Sequence, residues 1–188
     1  MQRGILLGII LLILFIISGF ILTVVISRKL MPLASTPKAI LPEILSHMKI
    51  VAGQTIVELG AGDFRILISA WKVYKAKGVG YEISPILGLM GKLKKLVKIG
   101  PFAPVDINVE NFFKANINSA DKLFCHLNSV ALYSLTEKLE KELQPNTELY
   151  TYEHPIPNIS HIEAFDLQNG AKLFMYKKES FTTPTHSK

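Results

Sequence analysis

The sequence predicts an α/β fold: a mostly parallel seven-stranded sheet with a C-terminal antiparallel hairpin, preceded by one N-terminal transmembrane helix. Three observations predict it. The first thirty residues contain an uncharged apolar run of membrane-spanning length, and strand and helix signals alternate from residue 39 onward. The last two strand signals follow each other across the turn Gln168-Asn169-Gly170 with no helix between them.

Residues 4–27 carry no charge, and residues 5–17 are almost continuous hydrocarbon. About 20 such residues cross a bilayer core of roughly 30 Å. A cleavable signal peptide is the competing reading, since Arg3 supplies a positive start and Leu33-Ala34-Ser35 a small-residue site. The run exceeds the ~7–15 residues of a signal's apolar region, which favours an anchor. Arg28, Lys29 and Lys38 follow the run and Arg3 precedes it, so the positive-inside rule places the following domain in the cytoplasm. The expected organisation is an anchor over 1–30, a juxtamembrane linker over 31–38, a globular domain over 39–178 and a flexible tail over 179–188.

The 188 residues leave room for one domain beside that anchor. Mean hydropathy is +0.31, but the excess sits in the first thirty positions. The single cysteine, Cys125, excludes an intramolecular disulfide and lies in an apolar run, where a buried inert thiol is expected. No histidine has the spacing of a metal site, and none is expected. The net charge of +6 gathers in Lys92, Lys94, Lys95 and Lys98, interleaved with Leu89, Leu93, Leu96 and Val97 at helical spacing. This reads as a solvated helix face, or as one resting on acidic lipid headgroups. A nucleic-acid partner is permitted by the charge but not expected.

The elements follow in order. A helix over 39–48 leads through Ala52-Gly53-Gln54 into a buried strand at 55–59. Next come a glycine turn, Gly60-Ala61-Gly62-Asp63, an amphipathic helix carrying Ile66, Leu67, Ala70, Trp71 and Val73, and a second strand at 78–82. Further signals give a helix at 86–98, strands at 105–110 and 122–127, a helix at 130–143, and strands at 147–153, 159–166 and 171–177.

The chemistry concentrates where the first strand ends. Glu58 precedes the glycine turn, and Glu82 ends the second strand twenty residues after Gly62. Glycines there let a ligand approach the backbone, and an acid ending the next strand can accept ribose hydroxyls. A dinucleotide fold would place a third glycine where Arg65 stands, and Glu58 would repel a pyrophosphate. S-adenosylmethionine has no phosphate but carries a sulfonium and an α-amino group, both cationic, which suits a carboxylate at the turn. Without a ligand, Glu58 reads as a helix cap and Glu82 as a surface strand end.

Glu58-x-Gly60-x-Gly62 with Glu82 resembles motifs I and II of the class I, seven-stranded Rossmann-like methyltransferases. Ser35-Thr36-Pro37, the run from Glu58 to Arg65, Gly80-Tyr81-Glu82-Ile83-Ser84-Pro85, Asn111-Phe112-Phe113 and His154-Pro155-Ile156-Pro157 together resemble the membrane-anchored protein-lysine methyltransferases typified by the ATP synthase c-subunit lysine methyltransferase. The resemblance implies S-adenosylmethionine as cofactor. By position, Glu58, Gly60, Ala61, Gly62 and Asp63 would surround its methionine end, and Glu82 would take the ribose. Tyr81 or Ile83 would meet the adenine face, Asn111 the adenine amine, and Thr36 would close over the whole. Asn128, Glu153 and His154 would line the substrate pocket, with no base assigned. The implied partners are a lipid bilayer and a protein with an accessible lysine near it. Phe64 stands where the family has glycine and is expected to point away from the cofactor, outward or packed at an edge. Leu127-Asn128-Ser129 replaces the family's proline-containing motif. A lipid or small-molecule acceptor, a non-catalytic protein keeping the fold, and an NAD-binding oxidoreductase are the alternatives.

Overall fold

The computed structural model describes residues 6–16, 18–19 and 36–182. The chain divides into two units, Met1–Leu33 and Ala34–Lys188. In the first, residues 6–16 and 18–19 are helical (α1), with Leu6, Leu12, Phe15 and their apolar neighbours exposed. Among the described residues no helix is long and apolar enough to cross a membrane. The expected span over 4–27 falls partly outside the described residues, as does most of the linker over 31–38.

In the second unit, a 3₁₀ turn at Lys38–Ile40 leads into α2 (Leu41–His47). The chain then runs β1 (Thr55–Leu59), α3 (Arg65–Tyr74), β2 (Lys77–Glu82), α4 (Pro85–Ile99), β3 (Val105–Val109) and a 3₁₀ turn at Phe112–Lys114. It continues through β4 (Lys122–Cys125), α5 (Ser129–Glu142), β5 (Glu148–Tyr152), β6 (Glu163–Asp166), β7 (Lys172–Tyr176) and α6 (Glu179–Thr182). The sheet order is β3-β2-β1-β4-β5-β7-β6. The first five strands are parallel, and β7 is antiparallel to both β5 and β6. The chain moves outward from β1 to β3 and then returns to β4 on the other side of β1. The crevice between the carboxyl ends of β1 and β4 is therefore the topological switch point, where open α/β sheets bind ligands.

Strand alternation separates two apolar layers. Ile56, Phe124, Tyr150 and Tyr152 pack with α2 and α3 in one cluster. Val57, Leu59, Leu123, Cys125 and Leu149 pack with Leu132, Leu135 and Leu139 of α5 in the other. Ser84 caps α4 by accepting from the Leu87 amide, with Pro85 at its first turn, and Asn128 caps α5 through Ala131. Two boundaries differ from the sequence reading. Residues 179–182, read as the start of a flexible tail, form the helical turn α6, and Phe181 is buried in the second cluster. The strand expected over 159–166 pairs only at Glu163–Asp166, because Pro157 and the left-handed Asn158 hold the preceding chain in turns.

Phe64, expected to point away from the glycine turn and outward or at an edge, points away from it but into the core. It is fully buried in the first cluster, with φ at 59°. The ring lies over two glycines: a Cβ on Gly80 of β2 would come within 2.5 Å of it, and one on Gly91 of α4 within 2.4 Å. The ring thus points away from the glycine turn and fills the space between β2 and α4. Its left-handed backbone costs about 1–2 kcal/mol, whereas truncating a buried Phe costs about 3–5 kcal/mol. Phe64→Gly should therefore lower stability by about 2–3 kcal/mol, read from urea unfolding of Trp71 fluorescence, while changing S-adenosylmethionine affinity less than about tenfold. Gly91→Ala should destabilise the native chain but not the Phe64→Gly chain; an equal penalty in both would show that the ring and the glycine do not share this space.

Candidate active site

The turn after β1 is built by its own amides. Gly60 and Ala61 both donate to the Tyr81 carbonyl at 2.9 Å, and Gly62 donates to Glu82 Oε2 at 2.9 Å. Gly60 and Gly62 adopt φ values of 73° and 55°. A Cβ at Gly60 would approach Leu127 Cδ2 to 2.7 Å, so glycine lets the β1 turn close against the segment after β4. Nothing lies within 4 Å of a Cβ built on Gly62, which leaves that side of the turn open.

Three carboxylates meet there in three states. Asp63 takes a bidentate pair from Arg65, 2.6 Å from Nε and 2.7 Å from Nη2, and a further ion pair from Lys94. Burial opposes its charge, but the bonds from Arg65 and Lys94 outweigh that and hold its pKa below the ordinary value. Glu82 is buried, and its two oxygens accept from the Gly62 and Ser84 amides, both at 2.9 Å. Each oxygen keeps lone-pair capacity for a ribose hydroxyl.

Glu58 is different. It is 4% exposed, and its Oε2 has no hydrogen-bond partner, the one such buried side-chain atom among the described residues. Burial, reinforced by the charges of Asp63 and Glu82, raises its pKa well above the usual carboxylate range.

These features test which ligand fits. A pyrophosphate needs amide donors, and those of Gly60, Ala61 and Gly62 are already engaged. A cationic group would supply the partner that the buried Glu58 oxygen lacks. S-adenosylmethionine fits that demand; a dinucleotide does not.

Around this centre the other expected residues fall as follows. The Tyr81 ring is buried in the second cluster, its hydroxyl accepting from the Asn116 amide at 3.3 Å, whereas Ile83 is 62% exposed. Of the two, Ile83 is the side chain free to cover an adenine. Asn111 follows β3 and caps the 3₁₀ turn, its Oδ1 accepting from Phe113 at 3.0 Å. The Glu110 amide donates to the Glu82 carbonyl, so the β3 end lies beside Glu82. Thr36 is buried in place, its carbonyl accepting from Arg65 Nη1 at 2.7 Å.

The segment before the domain and the end of β4 meet at a residue the sequence reading left as merely structural. His126 is buried, with Nδ1 3.1 Å from Thr36 Oγ1 and Nε2 3.2 Å from Glu153 Oε2. A carboxylate only accepts, so Nε2 carries the proton and Nδ1 accepts from the threonine. Burial pushes the His126 pKa down against the pull of Glu153, with nearby His154 and Arg65 adding to the depression. Glu153 follows β5, has its side chain 41% exposed, and holds φ at 68°, a conformation that non-glycine residues adopt at a cost. The structure thus joins Thr36 and Glu153 through His126. Asn128 is exposed two positions after His126, but its Oδ1 is committed to the Ala131 amide. Arg65 and Lys94 were also missed: one was read as a departure from a dinucleotide motif, the other as part of a solvated face.

The model of the ANTKMT methyltransferase domain matches residues 58–163. A protein-lysine N-methyltransferase of Saccharolobus islandicus (strain REY15A) is 30% identical over 140 residues, covering 74% of this chain and 86% of its own. Among solved structures, an RNA methyltransferase from Salinibacter ruber with S-adenosyl-L-homocysteine superposes with a TM-score of 0.71 at 24% identity. It covers 82% of this chain and 96% of its own. A S-adenosylmethionine-dependent methyltransferase from Geobacter sulfurreducens gives 0.55 at 18% identity, over 64% of this chain and 49% of its own. Both likenesses describe the fold.

The Glu58 pKa carries a signed prediction. A carboxyl group whose folded pKa lies above its ordinary 4.5 retains a proton that the unfolded chain releases. Its contribution to the stability of the unliganded protein is therefore full below pH 4.5 and is lost as pH rises toward the folded value. A cation at Oε2 favours the ionised form, so cofactor affinity should rise over the same range. Glu58→Gln should flatten both pH dependences, read by denaturant unfolding and by calorimetric titration, and weaken binding about 10- to 100-fold. Unaltered pH profiles in the variant would assign them to another group.

Proposed function

Because the chain belongs to the family of the ANTKMT methyltransferase domain, with S-adenosylmethionine as its methyl donor, we propose that it methylates a lysine side chain of a membrane-held protein. One observation carries the placing of that acceptor. Glu153, an acid in a strained backbone at the carboxyl edge of the sheet, is tied through His126 and Thr36 to the segment that also holds Arg65. The name of the Saccharolobus islandicus relative supports lysine as the acceptor.

Bound, S-adenosylmethionine supplies a methyl carbon activated by its sulfonium for in-line displacement. This chain supplies position and charge. Glu58 would hold a cationic group at the end of β1, and Glu82 would accept from the ribose. A lysine with a reference pKa near 10.4 must arrive aligned and lose a proton. Glu153 is the acceptor for that ammonium, and the His126 Nε2–H orients its carboxylate. Asn128 and His154 are the further residues proposed to line the substrate pocket.

The membrane half of the proposal rests on the first unit. Residues 4–27 are uncharged, and the described part of α1 exposes its apolar side chains, which require an apolar phase to cover them. The charge balance favours a single pass with the domain in the cytoplasm. Confinement to the bilayer raises the effective concentration of membrane-held targets.

Membranes incubated with the protein and methyl-tritiated S-adenosylmethionine should yield label that protease releases, that lipid extraction leaves behind, and that hydrolyses to methyllysine. Label in the lipid phase would replace this acceptor with a lipid. Glu153→Gln should lower kcat about 10²- to 10⁴-fold, the usual range for a positioned proton acceptor, with cofactor affinity unchanged. An equal loss of cofactor affinity would place Glu153 in the donor site. Alkaline carbonate should fail to strip the chain from membranes; its release would remove the anchor.

A further inference from the structure

We infer that the outer face of α4 and the loop after it form a second, independent contact with the membrane, one that selects an anionic bilayer surface. Leu89, Leu93, Leu96 and Val97 recur at helical spacing along α4, and all are exposed, Val97 at 77%. Phe102, three residues past the end of the helix, is 97% exposed. No acidic residue lies between Pro85 and Phe102.

The basic residues on this helix divide by role. Lys94 turns inward and pairs with Asp63. Lys92, Lys95 and Lys98 have no carboxylate partner among the described residues. Lys92 and Lys95 border a shallow groove of about 290 Å³ with Leu96, Pro101 and Asp106, where Asp106 is the opposing charge.

Charge complementarity identifies the occupant. An apolar stripe bordered by unpaired ammonium groups matches the boundary of a bilayer, where side chains such as Leu and Phe enter the acyl region and Lys stems reach the headgroups. Anionic headgroups supply the partners that these three lysines lack among the described ion pairs. A neutral bilayer would cover the stripe but leave the lysines without partners. Nucleic acid would match the lysines and leave five large apolar side chains against a polyanion. This contact belongs to the folded domain and does not depend on the N-terminal anchor.

The full chain carrying Val97→Cys with an environment-sensitive fluorophore tests it. Cys125 does not compete for the label, because it is buried and burial pushes its thiol pKa up. The labelled chain is mixed with vesicles of phosphatidylcholine alone, or with added phosphatidylserine, each containing acyl chains that bear a quencher. The expected result is quenching in the anionic vesicles at low salt and little in the neutral ones. Replacing Lys92, Lys95 and Lys98 together by Gln should cut the docked-to-free ratio roughly 100-fold, at about a factor of five per lysine. A label that stays in water while the chain sediments with anionic vesicles overturns the inference and leaves the anchor standing. Docking on anionic vesicles without sedimentation on neutral ones does the reverse. Shielding of the label without vesicles, together with a dimer mass, would assign this face to a second copy and also overturn it.

Discussion

A carboxylate taken out of water at the end of β1 is the constraint around which the site is arranged. Glu58 loses hydration that no protein donor replaces at Oε2, a cost of several kcal/mol for a charge and less for the protonated acid. The other two acids of the turn do not share this state. Asp63 is neutralised by Arg65 and Lys94, and Glu82 is held by two amides. With its neighbours satisfied, Glu58 alone keeps capacity for an incoming cation, which makes the site selective by charge before any shape is considered. A cationic ligand at Oε2 would relieve that cost, the usual relation between a strained site and its function.

Phe64 shows how the same turn accommodates a bulky residue at a left-handed position. Glycine at that position would supply the left-handed φ without cost. Here a bulky residue adopts it, and the ring is accommodated because β2 and α4 each present a glycine to it. The backbone penalty is smaller than the gain from filling the core, so the turn retains its course. The side chain leaves the turn toward β2 and α4, where these glycines receive it. That separates the geometry of the turn from the identity of its residue, and it removes the main argument for a relic that keeps only the fold.

Much of the fold was legible because its signals are local. β1 is bounded by turn residues at both ends, α4 begins with Ser84-Pro85, and the hairpin is marked by Asn169-Gly170, so boundaries of the main elements fall within one or two residues of expectation. The site was half legible for the same reason. Glu58, the glycines and Glu82 lie on consecutive elements, and their spacing alone implies proximity. His126 was not legible: its partners Thr36 and Glu153 are 90 and 27 residues away, and a lone histidine at the end of an apolar strand carries no periodic mark. Lys94 was hidden by its neighbours, since one lysine among four on a helix looks solvated until the fold brings Asp63 beside it. Tyr81 and Ile83 were equivalent in the sequence; strand alternation separates them by turning the Tyr81 ring into the core and leaving Ile83 exposed.

The helix α4 connects these themes. Its inner surface carries Gly91, which makes room for Phe64, and Lys94, which holds Asp63 in the cofactor turn. Its outer surface carries the exposed leucines and unpaired lysines. Both surfaces belong to one rigid element of fifteen residues, capped at its start by Ser84, whose own amide donates to Glu82. A shift of α4 would therefore be felt at Phe64, Asp63 and Glu82 together, three of the groups that shape the turn beside Glu58. The turn beside Glu58 and the exposed outer face thus share a single helix, joined to that turn by packed side chains and an ion pair.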